Sequence, residues 1–215
     1  MNHEQDWPHW ERLFESFLRD QLERPDPAHD LAHIRRVVST AKQLTGAEKA
    51  EPQIVYPAAW LHDCVMVPKD SPLRSKASVE AAKVALGFLR EQGYPSELLD
   101  DVFHAIEAHS FSANIPPRTL EAKVVQDADR LDAIGAIGIA RCFVTAGLLG
   151  SQLYHQDEPF PVDRIVDDKH YAVDHFYAKL LKLRDTMQTD AGREEAERRT
   201  QFMLGYLNQM RFEIG

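Results

Sequence analysis

His62 and Asp63 stand side by side in "AAWLHDCVMV", at the end of an apolar run where burial is expected. Titratable groups in such a place raise the free energy unless they are hydrogen-bonded, paired or bound to a metal. The pair therefore needs partners, and two other stretches supply them. In "HDLAHIRRVV", His29 and His33 are four positions apart and share a helix face, while Ile34, Val37 and Val38 turn to a core. Either histidine can point inward. In "KVVQDADRLDAIG", Asp127, Asp129 and Asp132 lie in an otherwise apolar context, read as a helix that begins with acids. Singly, each piece has a plainer explanation: a core histidine satisfied by its neighbours, or acids capping a helix and favouring its macrodipole. Together, two imidazoles and two carboxylates form a donor set suited to a divalent ion such as Mn, Fe, Co, Ni or Zn.

Helical register narrows the candidates. At ~100° per residue Asp129 and Asp132 share a side, whereas Asp127 lies about 200° from Asp129 and is expected to cap or face away. In "HAIEAHSF", His104 and His109 are about 140° out of register, so both should not enter one site, and His109 is the one taken. Glu107 lies between them with no role assigned. Arg74 and Lys76 in "PLRSKAS" are either charge-assisted phosphate donors or part of a solvated loop. Arg130 is either a pairing residue or a surface arginine.

The elements that must carry these groups read as all-α. Apolar residues recur at helical spacing in "WERLFESFLRDQL", "HIRRVVSTAKQL", "VEAAKVALGFLREQG", "LLDDVFHAIEAHS" and "YAVDHFYAKLLKLRDTM", with no convincing strand alternation. Gly93 closes one helix, and Ser96 after Pro95 is expected to cap the next. The longest irregular piece, "YHQDEPFPVDRIVDD", reads as a surface loop or lid. Its 215 residues fit one domain, 1–215, with a core over about 25–145 and C-terminal helices over 165–212 packing on it. A net charge of −9 disfavours long duplex DNA, though a local basic pocket can still hold a small phosphorylated ligand. Cys64 and Cys142 are too few for a disulfide framework, and the N-terminus lacks the pattern of a signal peptide. No apolar run reaches the ~20 residues of a membrane span. These features point to a reduced, cytoplasmic protein; a dimer is compatible with them.

His33 followed by "IRRV", the "HD" at 62 and 63, and "ADRLDAIG" with Asp129 resemble the ordered H…HD…D signature of the HD-domain superfamily of metal-dependent phosphohydrolases. The tail "KLLKLRDTMQTDAGREEAERRTQFMLGYL" resembles a bacterial subgroup of HD-domain hydrolases. The resemblance implies an HD-domain helical bundle in which His33, His62, Asp63 and Asp129 bind one divalent metal. Mn is expected first, with Mg, Co, Ni, Fe or Zn as alternatives. It implies attack of a metal-activated water on phosphorus, with Asp63 as both ligand and proton acceptor. Asp132 and His109 are then expected as supporting catalytic groups, and Arg74, Lys76 and His29 as substrate-binding groups. His109 equally well caps its helix. The implied substrate is a small phosphorylated molecule, a nucleotide, and more narrowly a nucleoside or deoxynucleoside triphosphate. The alternatives are a regulatory or nucleotide-binding module without turnover and a di-iron oxygenase.

Overall fold

The computed structural model describes residues 6–21, 30–65 and 76–215. Among the described residues there is no β-strand, only an isolated bridge between Gln152 and Tyr171. Helices α1 (Trp7–Gln21), α2 (Leu31–Glu48), α3 (Pro52–Leu61), α4 (Ala77–Glu91), α5 (Leu99–Glu107) and α6 (Leu120–Asp132) precede α7 (Gly135–Leu149), α8 (Ala172–Ala178) and α9 (Asp190–Ile214). The chain divides into two compact units, one up to Asp129 and the other from Arg130 onward, so the division falls inside α6. No single helix among the described residues is long and apolar enough to cross a membrane.

In the first unit α3 is the central element, packing on α1, α2, α4 and α5. Its residues Ile54, Val55, Ala58, Ala59, Trp60 and Leu61 are all buried. Glu51 caps it by accepting from the N–H of Gln53, and Pro52 opens its first turn, where a missing N–H is harmless. Pro57 lies inside the helix and has no N–H for the carbonyl of Gln53. The hydroxyl of Tyr94 donates to that carbonyl instead, at 2.6 Å. Tyr94 reaches it because α4 ends in a Schellman turn. Gly93 adopts φ +75°, the N–H of Tyr94 returns to the carbonyl of Leu89, and that of Gly93 returns to Arg90.

Several expected boundaries shift. Ser96 begins a short 3-10 turn and makes no cap bond, while α5 starts at Leu99 without a side-chain cap. The aspartates close α6 rather than open a helix, because the chain turns at Ala133 and Ile134 before α7. Asp127 is therefore an interior residue of α6 and fully buried. "YAVDHFYAKLLKLRDTM" is not one helix, since α8 breaks at Lys179 (φ −136°, ψ −58°) into a 3-10 segment, Leu180–Thr186.

Within the second unit, α7 packs on α8 and α9. Gly138 is required there, because a β-carbon would meet the carbonyl oxygen of Ala133 at 2.2 Å. The segment expected as a surface loop or lid carries internal ties. Asp174, fully buried, accepts two bonds of 2.5 Å from Arg164 and one of 2.7 Å from the N–H of Asp167. Glu158 accepts from the N–H groups of Val162 and Asp163, and Phe160 is buried beneath the Arg211 guanidinium.

Candidate metal centre

Each side chain of the centre is delivered by a helix end or by the core face of a helix. Asp30 caps α2 by accepting from the N–H of His33 at 2.8 Å, which places His33 in the first turn with its ring buried. His62 follows the last residue of α3, and its Nδ1 donates to the carbonyl of Ala59 at 2.8 Å. That bond assigns the lone pair to Nε2. Asp63 comes next, as the helix unwinds. Asp129 lies in the last turn of α6, where the negative end of the helix dipole disfavours a carboxylate unless a cation stands nearby. His109 lies beyond the end of α5 at Glu107, so it reaches inward from a turn and not from the helical face assumed above.

These groups converge within the first unit. Nε2 of His33 is 3.5 Å from Oδ1 of Asp129 and 3.8 Å from Oδ2 of Asp63. Nε2 of His62 is 3.6 Å from Oδ2 of Asp63 and 3.8 Å from Oδ1 of Asp129. Nε2 of His109 is 3.4 Å from Oδ1 of Asp63. The donor atoms fall into two overlapping sets, His33 with His62 and Asp129, and His62 with Asp63 and His109, each spanning no more than 4.8 Å. The histidines are buried, while the carboxylates of Asp63 and Asp129 are about a quarter exposed, which leaves the cluster open on one side.

A divalent cation fits this arrangement. His62 is fully buried, and its Nε2 has no hydrogen-bond partner among the described residues although two carboxylate oxygens stand close by. A lone pair facing two anionic acceptors is unfavourable until a cation lies between them. Burial pushes the His62 imidazole below its ordinary value despite the pull of Asp63, so it stays neutral, as a ligand must. His109 moves the other way: burial works against its charged form, but the hydrogen bond and charge of Asp63, backed by Asp129, raise it. Asp63 opposes burial through the same histidines, His62 foremost, and its carboxyl is held well below the usual carboxylate range.

The remaining sequence candidates are placed as follows. His104 is bound elsewhere: its Nε2 accepts the N–H of Arg118 at 2.9 Å and its Nδ1 faces Glu107 at 2.9 Å. Asp132, expected as a catalytic group, is buried and accepts from Nη1 of Arg141 at 2.6 Å. Arg130 donates to the carbonyl of Thr186. Lys76 is exposed and precedes the first residue of α4. Arg74 and His29 lie outside the described residues. Gln126 is marked in the sequence only by its position between valines and aspartates in "VVQDAD". It is buried and donates from Nε2 to the carbonyl of Ala108 at 2.6 Å.

The HD domain family model matches residues 30–134, which contain the whole cluster. The uncharacterized protein YpgQ of Bacillus subtilis is 39% identical over 204 residues, covering 93% of this chain and 89% of its own. Two crystal structures are similar over nearly the full length. An HD-superfamily hydrolase from Bacillus thuringiensis is 33% identical and covers 97% of this chain and 98% of its own, with a TM-score of 0.75. Bacillus subtilis YpgQ in complex with ADP is 36% identical and covers 96% and 95%, with a TM-score of 0.71.

Proposed function

The chain belongs to the HD domain family, and from that membership and the geometry of its cluster we propose that it is a metal-dependent phosphohydrolase acting on nucleotides. His33, His62, Asp63 and Asp129 would hold one divalent ion, Mn in the first place. The observation that carries this reading is the buried Nε2 of His62, without a hydrogen-bond partner among the described residues and 3.6 and 3.8 Å from two carboxylate oxygens. When bound, such an ion supplies positive charge to a phosphoryl oxygen and acidity to a water.

The chain's own groups do the rest. Asp63 turns Oδ2 toward His33 and His62 and Oδ1 toward His109, so its carboxylate can hold the metal on one side and take up a proton on the other. The Nδ1 of His109 is occupied by the carbonyl of Ile106 at 2.6 Å, which orients the ring with Nε2 toward Asp63. Once Asp63 has taken up the proton of the attacking water, a protonated Nε2 would be released from that carboxylate to pass its own proton to the leaving group. Lys76, together with Arg74, meets the remaining phosphates of a polyanion that the net charge of −9 would otherwise repel. The ADP complex of the Bacillus subtilis relative supports a nucleotide as the ligand, and nucleoside or deoxynucleoside triphosphates are the proposed substrates.

The test is release of phosphate or pyrophosphate from ribo- and deoxyribonucleoside triphosphates by protein stripped of metal and resupplied with Mn, Mg, Co or Ni. Metal-dependent release from a triphosphate is expected. No release from any nucleotide with any of these ions would refute the assignment.

A further inference from the structure

We propose that Gln126 is a positioning residue, a strut from α6 that sets His109 against Asp63. The inference rests on the reading of His109 as part of the centre. Ala108, whose carbonyl accepts the Gln126 amide at 2.6 Å, is the residue immediately before His109. The turn around it is wound by local bonds: Ala108 N–H to the carbonyl of His104, and His109 N–H and Nδ1 both to that of Ile106. Those bonds fix the imidazole to its own turn. They do not set how far the turn stands from α6. The Gln126 amide makes that connection, and it does so three residues before Asp129, on the same side of the helix. One side chain thus couples the place of His109 to that of Asp129, and Asp63 faces His109 at 3.4 Å.

The chemistry of Gln126 separates this role from simple filling of space. Its Oε1 is buried and has no hydrogen-bond partner among the described residues. A methionine of similar size would fill the same volume without burying an acceptor that lacks a partner. The single bond that the amide makes, to Ala108, is what an apolar side chain could not replace.

The experiment compares Gln126→Met with Thr200→Val, a control that also removes a buried polar atom without a partner among the described residues, on α9. The readouts are thermal melting, the imidazole 15N–1H resonances of the metal-free protein, and steady-state kinetics with Mn and a nucleoside triphosphate. For Gln126→Met the expected result is a folded protein in which the His109 resonances move while those of His104 stay. In that protein kcat falls about 10- to 100-fold, the range seen when groups supporting a metal site are lost, with KM within about 2-fold. In a His109→Ala background the same change should add little, because both act through one ring. Thr200→Val should leave the His109 resonances in place. Unmoved His109 resonances in Gln126→Met, or an undiminished loss in the His109→Ala background, would overturn the proposal. If Gln126→Met does not fold, Gln126→Asn, too short to reach Ala108, gives the same comparison. If no nucleotide is hydrolysed by the unaltered protein, the phosphohydrolase reading fails, and the resonances still decide the strut.

Discussion

His62 and Asp63 are neighbours in the chain and in space, with Nε2 of the first 3.6 Å from Oδ2 of the second, yet one ring is fully buried and the other side chain is about a quarter exposed. The end of α3 produces this: one residue still lies on the buried helix face and the next turns toward the open side of the cluster. A buried ring nitrogen and a reachable carboxylate at one point form half of the proposed metal site, and His33 and Asp129 stand against them from α2 and α6.

The first prediction concerns metal content. Protein purified with Mn should carry about one ion per chain, and His62→Ala and Asp63→Ala should each fall below about a tenth of that while keeping their helical circular dichroism, because each removes a ligand of the proposed set. Elemental analysis decides it, and full occupancy in both folded variants would mean that the ion sits elsewhere.

The aspartates of α6 should separate into different effects. Asp129→Asn should lose metal and metal-dependent activity with little change in melting temperature, since its carboxylate stands against His33 and His62. Asp132→Ala should instead lower stability, by about 2 kcal/mol, because it leaves the Arg141 guanidinium without its carboxylate, and Arg141 is only partly buried. Metal loss in Asp132→Ala with retention in Asp129→Asn would reverse the assignment.

How much of this was legible in the sequence depended on whether the signal was local. Helical spacing marks α1, α2, α4 and α5 but not the central α3, and the apolar run before His62 announces that its polar groups need partners. Boundaries were harder to read. The acids of α6 were read as a helix start because acids favour that end, but here they close the helix, and buried interactions offset what the dipole disfavours. His104 and His109 were separated by helical register, whereas α5 in fact stops at Glu107 and Arg118, distant in sequence, engages His104. Long-range ties such as Arg164 to Asp174 or Gln126 to Ala108 have no periodic signature at all.

The bond from Tyr94 to Gln53 gives a stability prediction. Tyr94→Phe keeps the ring against Trp10 but strips the Gln53 carbonyl of a donor that Pro57 cannot replace, at a loss of about 1 to 2 kcal/mol. In a Pro57→Ala background the helix can supply its own N–H, so the same substitution should lose less than about 0.5 kcal/mol. Chemical denaturation of the four proteins measures the coupling, and additive losses would show that Pro57 does not set the role of Tyr94.

The substrate prediction turns on charge. The proposed ligands determine only where one phosphorus must sit, and a chain of net charge −9 must find local cations to hold the rest of a triphosphate. Lys76 is exposed and precedes the first residue of α4, and in sequence both it and Arg74 follow the HD pair closely. The N-terminal end of α4 adds backbone N–H groups of the same polarity, so a phosphate there gains from both. Arg74→Ala/Lys76→Ala should therefore raise KM for a nucleoside triphosphate about 10-fold or more with Mn content unchanged, since lost phosphate contacts weaken binding and leave the nucleophile in place. The rise should shrink as salt is added, because exposed charges are screened within about 10 Å at 0.1 M ionic strength. Steady-state kinetics at two salt concentrations test both statements. An unchanged KM would remove Arg74 and Lys76 from substrate binding, and a KM rise that salt does not reduce would point to a steric rather than an electrostatic role.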